Sequence, residues 1–131
     1  MRDKRQIVVY VAGPYRADTK REVRDNISDA IEVAANIRRA GYSAVVPHLE
    51  SLQNEECLTE DGWLEHGLAL LRRCHAVFDF RRGRRSGGTE KEVTLATIIG
   101  IPVVISIGAL DTHFGCDEVD VLVADTQRGD Q

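Results

Sequence analysis

The stretch that decides the fold runs from residue 76 to residue 107 and reads AVFDF (76–80), RRGRRSGG (81–88), TEKEVTLATII (89–99), G (100) and IPVVISI (101–107). The runs 76–80 and 101–107 are short and apolar, which predicts two buried strands. The longer run 89–99 is predicted as the helix that joins them. A strand, a helix and a second strand in this order favour a parallel sheet covered by helices.

The sequence before this unit repeats the alternation. Gln6–Ala12 (QIVVYVA) is a continuous apolar, β-branched run that stops at Gly13-Pro14, and it predicts a first buried strand. From Asp25 to Ala40 the apolar residues recur every three or four positions, the period of one helix face, and Gly41 follows. Ser43–Val46 then predicts a short second strand.

The remaining segments complete the predicted order. The polar, acidic stretch 50–61 is predicted as a loop, and the next helix is marked by its apolar residues Trp63, Leu64, Leu68 and Leu71. A further strand could form at Val119–Val123, before the polar tail 126–131. The predicted fold class is therefore α/β. We expect one domain over residues 1–131, a Rossmann-like (flavodoxin-like) three-layer sandwich with a four- to five-stranded parallel sheet.

Composition narrows the class of protein. Hydrophobic residues make up 43% of the chain and charged residues 29%, the balance of a globular protein. The longest apolar stretch is interrupted and too short to cross a bilayer, and residues 1–6 do not resemble a secretory signal, so we expect a cytoplasmic protein without a membrane partner. The net charge of −4 argues against polymeric nucleic acid as a partner. Three scattered cysteines are expected to be free thiols: Cys57, Cys74 and Cys116.

The carboxyl ends of parallel strands form the ligand crevice of such sheets, so a ligand site is expected in the loops that follow the strands. After the first strand, Gly13, Tyr15 and Arg16 offer a close backbone, a phenol and a guanidinium group. A turn with a solvent-facing tyrosine is the alternative. After the second strand, His48 could contact a base or a sugar, although a lone histidine at a rim is often incidental. The histidines show no metal-ligand spacing, and neither a metal nor a cofactor is expected.

The loop after the third strand indicates a phosphate site. Ser86, Gly88 and Thr89 begin the following helix, where free backbone N–H groups and the positive end of the helix dipole suit an anion. Four arginines lie beside them in residues 81–85. The alternative is a glycine-rich loop with a threonine cap and solvated arginines.

Glu92 follows on the first turn of the same helix, four residues after Gly88. A carboxylate that projects into the crevice from there could attack an anomeric carbon or stabilise an oxocarbenium-like centre. The alternative is an acid favoured by the helix dipole, which is our interpretation of the neighbouring Glu90.

Together these motifs resemble a known family. The segments VYVAGPYRADTKREVRDNISDAIEVAANIRRAGYSAVVPHLE, DGWLEHGLALLRRCHAVFDF and SGGTEKEVTLATIIGIPVV are similar to the nucleoside 2-deoxyribosyltransferase superfamily. The resemblance is greatest to the small DUF4406-like proteins and the (deoxy)nucleoside 5′-monophosphate N-glycosidases. It rests on a set of features between about residues 7 and 105. They are the GPYR turn, Asn26 in the next helix, PH after the second strand, and S-x-G-x-x-x-E at the third helix.

The resemblance implies a role for several residues. It maps the glutamate that attacks C1′ onto Glu92, and the tyrosine that positions this glutamate onto Tyr15. It maps the serine that holds the 5′-phosphate onto Ser86, six residues before Glu92. Transferases that accept unphosphorylated nucleosides carry aspartate at the position of Ser86, so a phosphorylated substrate is expected. The resemblance also implies a homodimer or a higher homo-oligomer.

The sequence departs from the family at one position that matters. Relatives carry an aspartate in the second helix, eight residues before a Cys-Asp pair, and it is implicated in proton transfer to the leaving base. Here the pair is Cys74-His75 and the matching residue is Gly67. The general acid is therefore in doubt, and three neighbours could replace it: Asp61, Glu65 and His66.

The expected function is hydrolysis of a nucleoside or 2′-deoxynucleoside 5′-monophosphate, or transfer of its sugar, through a covalent glycosyl-Glu92 intermediate. Two alternatives remain. The run Gly88–Glu92 also resembles the G-T-x-x-E core of the lysine-decarboxylase-like phosphoribohydrolases. A non-catalytic nucleotide sensor on the same fold is the other alternative, and Gly67 makes it worth testing.

Overall fold

The computed structural model describes residues 3–115. At its centre is a sheet of four strands, listed in chain order: β1 (Val8–Ala12), β2 (Ser43–Val45), β3 (Ala76–Asp79) and β4 (Val103–Val104). The strands lie in the order β2-β1-β3-β4, and every neighbouring pair is parallel. The predicted parallel α/β sheet is confirmed.

Each strand is followed by one or two of the five α-helices in the described residues: α1 (Lys20–Arg39), α2 (Pro47–Gln53), α3 (Glu60–Leu71), α4 (Gly87–Ile99) and α5 (Ile107–His113). Short 3₁₀ turns occur at Lys4–Gln6 and Glu55–Cys57. Within residues 3–115, none of the helices combines the length and the apolar character that crossing a membrane requires.

The two faces of the sheet bury different side chains. On one face, Val9 and Val11 of β1 pack with the apolar face of α1, including Ala34 and Ile37. On the other face, Tyr10 belongs to a second apolar cluster, whose other buried members are Ala12, Leu71, Cys74, Val77 and Ala96. Because successive side chains of a strand point to opposite faces, this alternation along β1 places helices on both sides of the sheet. The predicted three-layer arrangement is confirmed.

The acidic stretch 50–61, predicted as a loop, is largely helical. Pro47 stands at the first position of α2, where its fixed φ suits a helix start. The 3₁₀ turn follows, and the side chain of Thr59 accepts a hydrogen bond from the backbone N–H of Gly62 at 3.0 Å, which caps the beginning of α3. Polar composition suggested a loop, but capping and contacts with neighbouring segments favour helix here.

The predicted strand 101–107 is also shorter than expected. Its ordered pairing is confined to β4, because Ser106 caps a new helix by accepting a hydrogen bond from the backbone N–H of Ala109 at 3.1 Å. Cys57 and Cys74 are free thiols, as predicted. The predicted strand 119–123, the tail 126–131 and Cys116 lie outside the described residues.

Candidate active site

A cleft of about 490 Å³ lies at the carboxyl ends of β1 and β2, beside the start of α4. It is lined by the residues that the sequence predicted in the loops after the strands and at the start of the third helix: Gly13, Tyr15, Arg16, His48, Ser86, Gly88, Thr89 and Glu92. The loops that the sequence separates are therefore brought together on one surface.

A hydrogen bond joins two residues that line the cleft, the buried Tyr10 and the partly buried Glu92. The hydroxyl of Tyr10, on β1, donates to Oε2 of Glu92 on α4. Burial raises the pKa of Glu92 to about 7, and the nearby Asp79 carboxylate adds to the rise, whereas the Tyr10 hydrogen bond and Arg81 oppose it. Near neutral pH the carboxylate and the carboxylic acid forms of Glu92 are therefore both populated.

The tyrosine that contacts Glu92 is Tyr10, whereas the resemblance implies this positioning role for Tyr15. Tyr15 lines the same cleft, where its ring packs edge-on against His48 with the ring centroids 5.4 Å apart. Tyr10 was missed because it lies inside the apolar run of β1, where it reads as a core residue. The alternation along the strand, with Val9 and Val11 on the opposite face, is the signal that could have found it.

Gly67 makes room for this hydrogen bond. A Cβ atom at Gly67 would lie 2.6 Å from the hydroxyl oxygen of Tyr10 and 3.7 Å from Oε2 of Glu92. The aspartate that the resemblance expects at this position would therefore collide with the Tyr10 hydroxyl. The hydroxyl occupies the space next to α3 that a side chain would need.

The three proposed replacements for the missing aspartate are placed differently. Asp61 lines the cleft, and Glu65 and His66 do not. The His66 ring packs against Trp63, with the ring centroids 5.6 Å apart, and its Nδ1 lies 3.7 Å from a carboxylate oxygen of Glu50. Of the three, Asp61 is the one with access to a ligand in the cleft.

The start of α4 carries the residues that the sequence predicted as a phosphate site. Oγ of Ser86 accepts hydrogen bonds from the backbone N–H of Thr89 at 3.3 Å and from its hydroxyl at 2.8 Å. Both lone pairs of Ser86 are thus engaged, and its own O–H remains to donate to a ligand. A Cβ atom at Gly87 or Gly88 would meet nothing within 4 Å, so packing does not require glycine at either position.

Ser86, and not Thr89, is the residue that caps the helix. Its backbone is extended, and its side chain accepts from the third residue of α4, which is the geometry of an N-cap. The alternative interpretation of this loop assumed a threonine cap. Thr89 is instead buried beneath the turn, with 1% of its surface exposed.

Gly13 is a glycine for a reason that the sequence did not reveal. A Cβ atom there would lie between 2.2 and 2.5 Å from carbons of the Phe80 ring. The missing side chain is therefore required by the packing of Phe80 at the end of β3, whether or not a ligand approaches this part of the backbone.

His48 is held in its neutral form at the wall of the cleft. It is buried, its Nε2 lies 2.9 Å from the carbonyl oxygen of Pro14, and its ring packs between the rings of Tyr15 and Phe80. Burial lowers the pKa of His48, and hydrogen bonds to the backbone of Pro14 and Gly13 only partly oppose this. A neutral imidazole at this place suits contact with a sugar or a base better than proton donation.

The other end of the cleft is acidic and aromatic. Nε of Arg16 lies 3.1 Å from a carboxylate oxygen of Glu60, and a longer ion pair of 4.0 Å joins Arg16 to Glu55. Trp63 lines the cleft beside them, and its indole N–H donates to the backbone carbonyl of Glu55 at 3.1 Å. From the sequence, Trp63 is predicted only as an apolar residue that marks a helix. In the described part of the chain, no group of three or more His, Cys, Asp or Glu side chains could hold a metal ion.

Two comparisons bear on this chain. A family model described as "Domain of unknown function (DUF7768)" matches residues 7–106, which include every element from β1 to β4. Among solved structures, a 2-deoxyribosyltransferase from the psychrotolerant bacterium Bacillus psychrosaccharolyticus superimposes with a TM-score of 0.55 and 20% sequence identity, over 76% of this chain and 75% of that chain. No curated protein matches the chain in sequence. The structural likeness establishes a shared fold, as the resemblance predicted.

Proposed function

We propose a function on one premise: the chain belongs to the DUF7768 family and shares its fold with a 2-deoxyribosyltransferase. The proposed reaction is cleavage of the N-glycosidic bond of a nucleoside 5′-monophosphate. The sugar passes to Glu92 and then to water or to a second base.

The observation that carries the proposal is the arrangement on the first turns of α4. Ser86, Gly88 and Glu92 line the same cleft from one helix. Gly88 and Glu92 are four residues apart, which corresponds to about 6 Å along a helix axis. A phosphate bound at the helix start therefore places the attached sugar beside the carboxylate, because the separation is comparable with the span of a pentose and its 5′ carbon.

The reaction proceeds in two displacements. An oxygen of the Glu92 carboxylate forms a bond to C1′ while the bond from C1′ to the base nitrogen breaks, and the base leaves with that electron pair. The Tyr10 hydroxyl donates a hydrogen bond to Oε2 and so fixes the orientation of the carboxylate. Oε1 is then the oxygen that attacks C1′. Water or another base then attacks C1′ and loses a proton to the group that protonated the first base. The bond between C1′ and the Glu92 oxygen breaks, and the carboxylate is restored. Two inversions give net retention of configuration.

The departing base needs a proton, and Asp61 donates it. Asp61 lines the cleft, whereas Gly67 provides no acid. The phosphate supplies binding energy through the Ser86 hydroxyl and the free N–H groups of α4, with Arg85 and Lys91 also lining this end.

The test is a survey of substrates. The protein is incubated with ribonucleoside and 2′-deoxyribonucleoside monophosphates and with the corresponding nucleosides, and free base is measured by chromatography. We expect release from at least one monophosphate, and a loss of about 1,000-fold or more for Glu92→Gln. Glu90→Gln is the matched control, because Glu90 is an exposed acid on the same helix.

Two outcomes would contradict the proposal. Tight nucleotide binding without any release of base would favour a nucleotide sensor. Equal loss of activity in Glu92→Gln and Glu90→Gln would remove the special role of Glu92. The homodimer that the resemblance implies stays a prediction, for which sedimentation of the purified chain is the measurement.

A further inference from the structure

A second cavity, of about 560 Å³, opens at the same edge of the sheet. Its apolar lining comes from α1, from the end of β3 and from the segment after β4: Val33, Phe78, Phe80, Ile105 and Ile107. The loop 81–85 forms its polar side. Arg85 lines both this cavity and the cleft described above, so the loop separates two neighbouring spaces.

The charges around the second cavity are predominantly positive. Four arginines line it against two acids, Asp79 and Glu90. Arg81 is neutralised, because its guanidinium group contacts both carboxylate oxygens of Asp79 at 2.8 to 3.1 Å. Because Arg81 and Asp79 neutralise each other, the remaining charged residues of the lining are three arginines and the exposed Glu90.

The three remaining arginines differ in their partners. Arg84 is tied to α1, with Nη1 donating to the side-chain oxygen of Asn26 at 3.2 Å and Nη2 lying 3.6 Å from a carboxylate oxygen of Asp29. Within residues 3–115, neither Arg82 nor Arg85 forms an ion pair. The cavity therefore combines an apolar wall with two guanidinium groups that form no ion pair in the described residues, and Glu90 is the one remaining acid of its lining.

The backbone of the loop 81–85 contains an unfavourable conformation. Arg82 has φ of 53° and Gly83 has φ of 82°, so two successive residues adopt the left-handed conformation. This conformation is unfavourable for a residue with a side chain, so it is unusual at Arg82. The Arg82 side chain is exposed and lines the cavity. The turn is closed by a hydrogen bond of 3.1 Å from the backbone N–H of Arg84 to the carbonyl of Arg81.

We propose that this cavity is a second ligand site, which binds the phosphate monoester of an aromatic or heterocyclic compound. The guanidinium groups of Arg82 and Arg85 hold the phosphate, since arginine forms charge-assisted hydrogen bonds with phosphate oxygens. The ring of the ligand lies against Phe80, Ile105 and Ile107. This site does not depend on the reaction proposed for the cleft.

The test must separate this site from the cleft. Ser86→Asp closes the phosphate site of the cleft to anions by adding a negative charge, and aspartate preserves the helix cap. Binding of naphthyl phosphate to this full-length variant is measured by titration calorimetry, with naphthol and inorganic phosphate as comparison ligands. We expect Ser86→Asp to retain binding of the ester, and naphthol to bind at least about tenfold more weakly.

Two further changes in the Ser86→Asp background assign the binding to the second cavity. Arg82→Gly removes one guanidinium group while glycine accepts the positive φ, and Ile105→Asp adds a negative charge at a side chain that is 78% exposed. Each should weaken binding of the ester at least about tenfold. The control is Arg73→Ala, an exposed arginine before β3, at the opposite end of that strand.

The proposal is overturned if Ser86→Asp abolishes binding of the ester, because the ester would then occupy the cleft. It is also overturned if naphthol binds as tightly as the ester, or if Arg82→Gly has no larger effect than Arg73→Ala. The failure of this site would leave base release in the cleft unaffected.

Discussion

Replacing Glu92 by Gln should raise the stability of the protein at alkaline pH and leave it nearly unchanged in acid. The pKa of Glu92 is raised by burial from 4.5 to about 7. Below about pH 4.5 the group is protonated in both the folded and the unfolded chain, and folding carries no penalty from it. As the pH rises to about 7, the unfolded chain ionises while the folded protein retains the proton, so the wild-type protein loses stability.

The size of the effect follows from the two pKa values of Glu92. A rise from 4.5 to about 7 corresponds to a free-energy cost of about 3 kcal/mol above pH 8 and of less than about 1 kcal/mol at pH 5. Glutamine resembles the protonated acid and can still accept the hydrogen bond from Tyr10. The difference in unfolding free energy between Glu92→Gln and wild type should therefore grow by about 2 to 3 kcal/mol from pH 5 to pH 8.5.

The assay is urea unfolding of both proteins at several pH values between 5 and 8.5. Other titrating groups are common to both proteins and cancel in the difference. Glu90→Gln serves as the matched control, because it removes an exposed carboxylate from the same helix. The reasoning would be refuted if the difference in unfolding free energy did not change with pH. It would also be refuted if the wild-type protein became more stable relative to the variant as the pH rises.

Three other substitutions probe contacts of residues in or beside the cleft. Tyr10→Phe removes the hydrogen bond that lowers the pKa of Glu92, so the ascending limb of the pH–rate profile of base release should move above its wild-type position near pH 7. Gly67→Ala should lower the melting temperature, although alanine normally stabilises a helix interior by about 1 kcal/mol, because its Cβ would lie 2.6 Å from the Tyr10 hydroxyl oxygen. Gly13→Ala should lower the unfolding free energy measured in denaturant by about 1–3 kcal/mol, because its Cβ would lie within 2.5 Å of the Phe80 ring. The control is Gly87→Ala, whose Cβ would meet nothing within 4 Å, and it should not lower the unfolding free energy.

The order of strands and helices could be predicted from the sequence because the apolar runs differ in length and period. Residues that the chain separates widely, such as Tyr15, His48 and Ser86, follow the first three strands. The carboxyl ends of parallel strands lie at one edge of the sheet, and ligands of open α/β sheets bind at that edge. This was enough to predict that these residues line one cleft.

Tyr10 could not be predicted in the same way. Both faces of β1 are buried, so its sequence is apolar throughout and a functional side chain in it resembles a core residue. The reason for Gly13 was equally hidden, because its neighbour Phe80 is distant in sequence and meets it only in the folded chain. The helix α2 was missed because a short polar helix depends on contacts that composition does not encode.

The central claim is that Glu92 becomes covalently attached to the sugar. The most direct measurement is peptide mass spectrometry after the protein is mixed with a reactive nucleoside monophosphate and quenched in acid. We predict a mass increase equal to the sugar phosphate on the peptide that contains Glu92, absent in Glu92→Gln. Release of base with the sugar attached to another residue, or with inverted configuration at C1′, would contradict the claim.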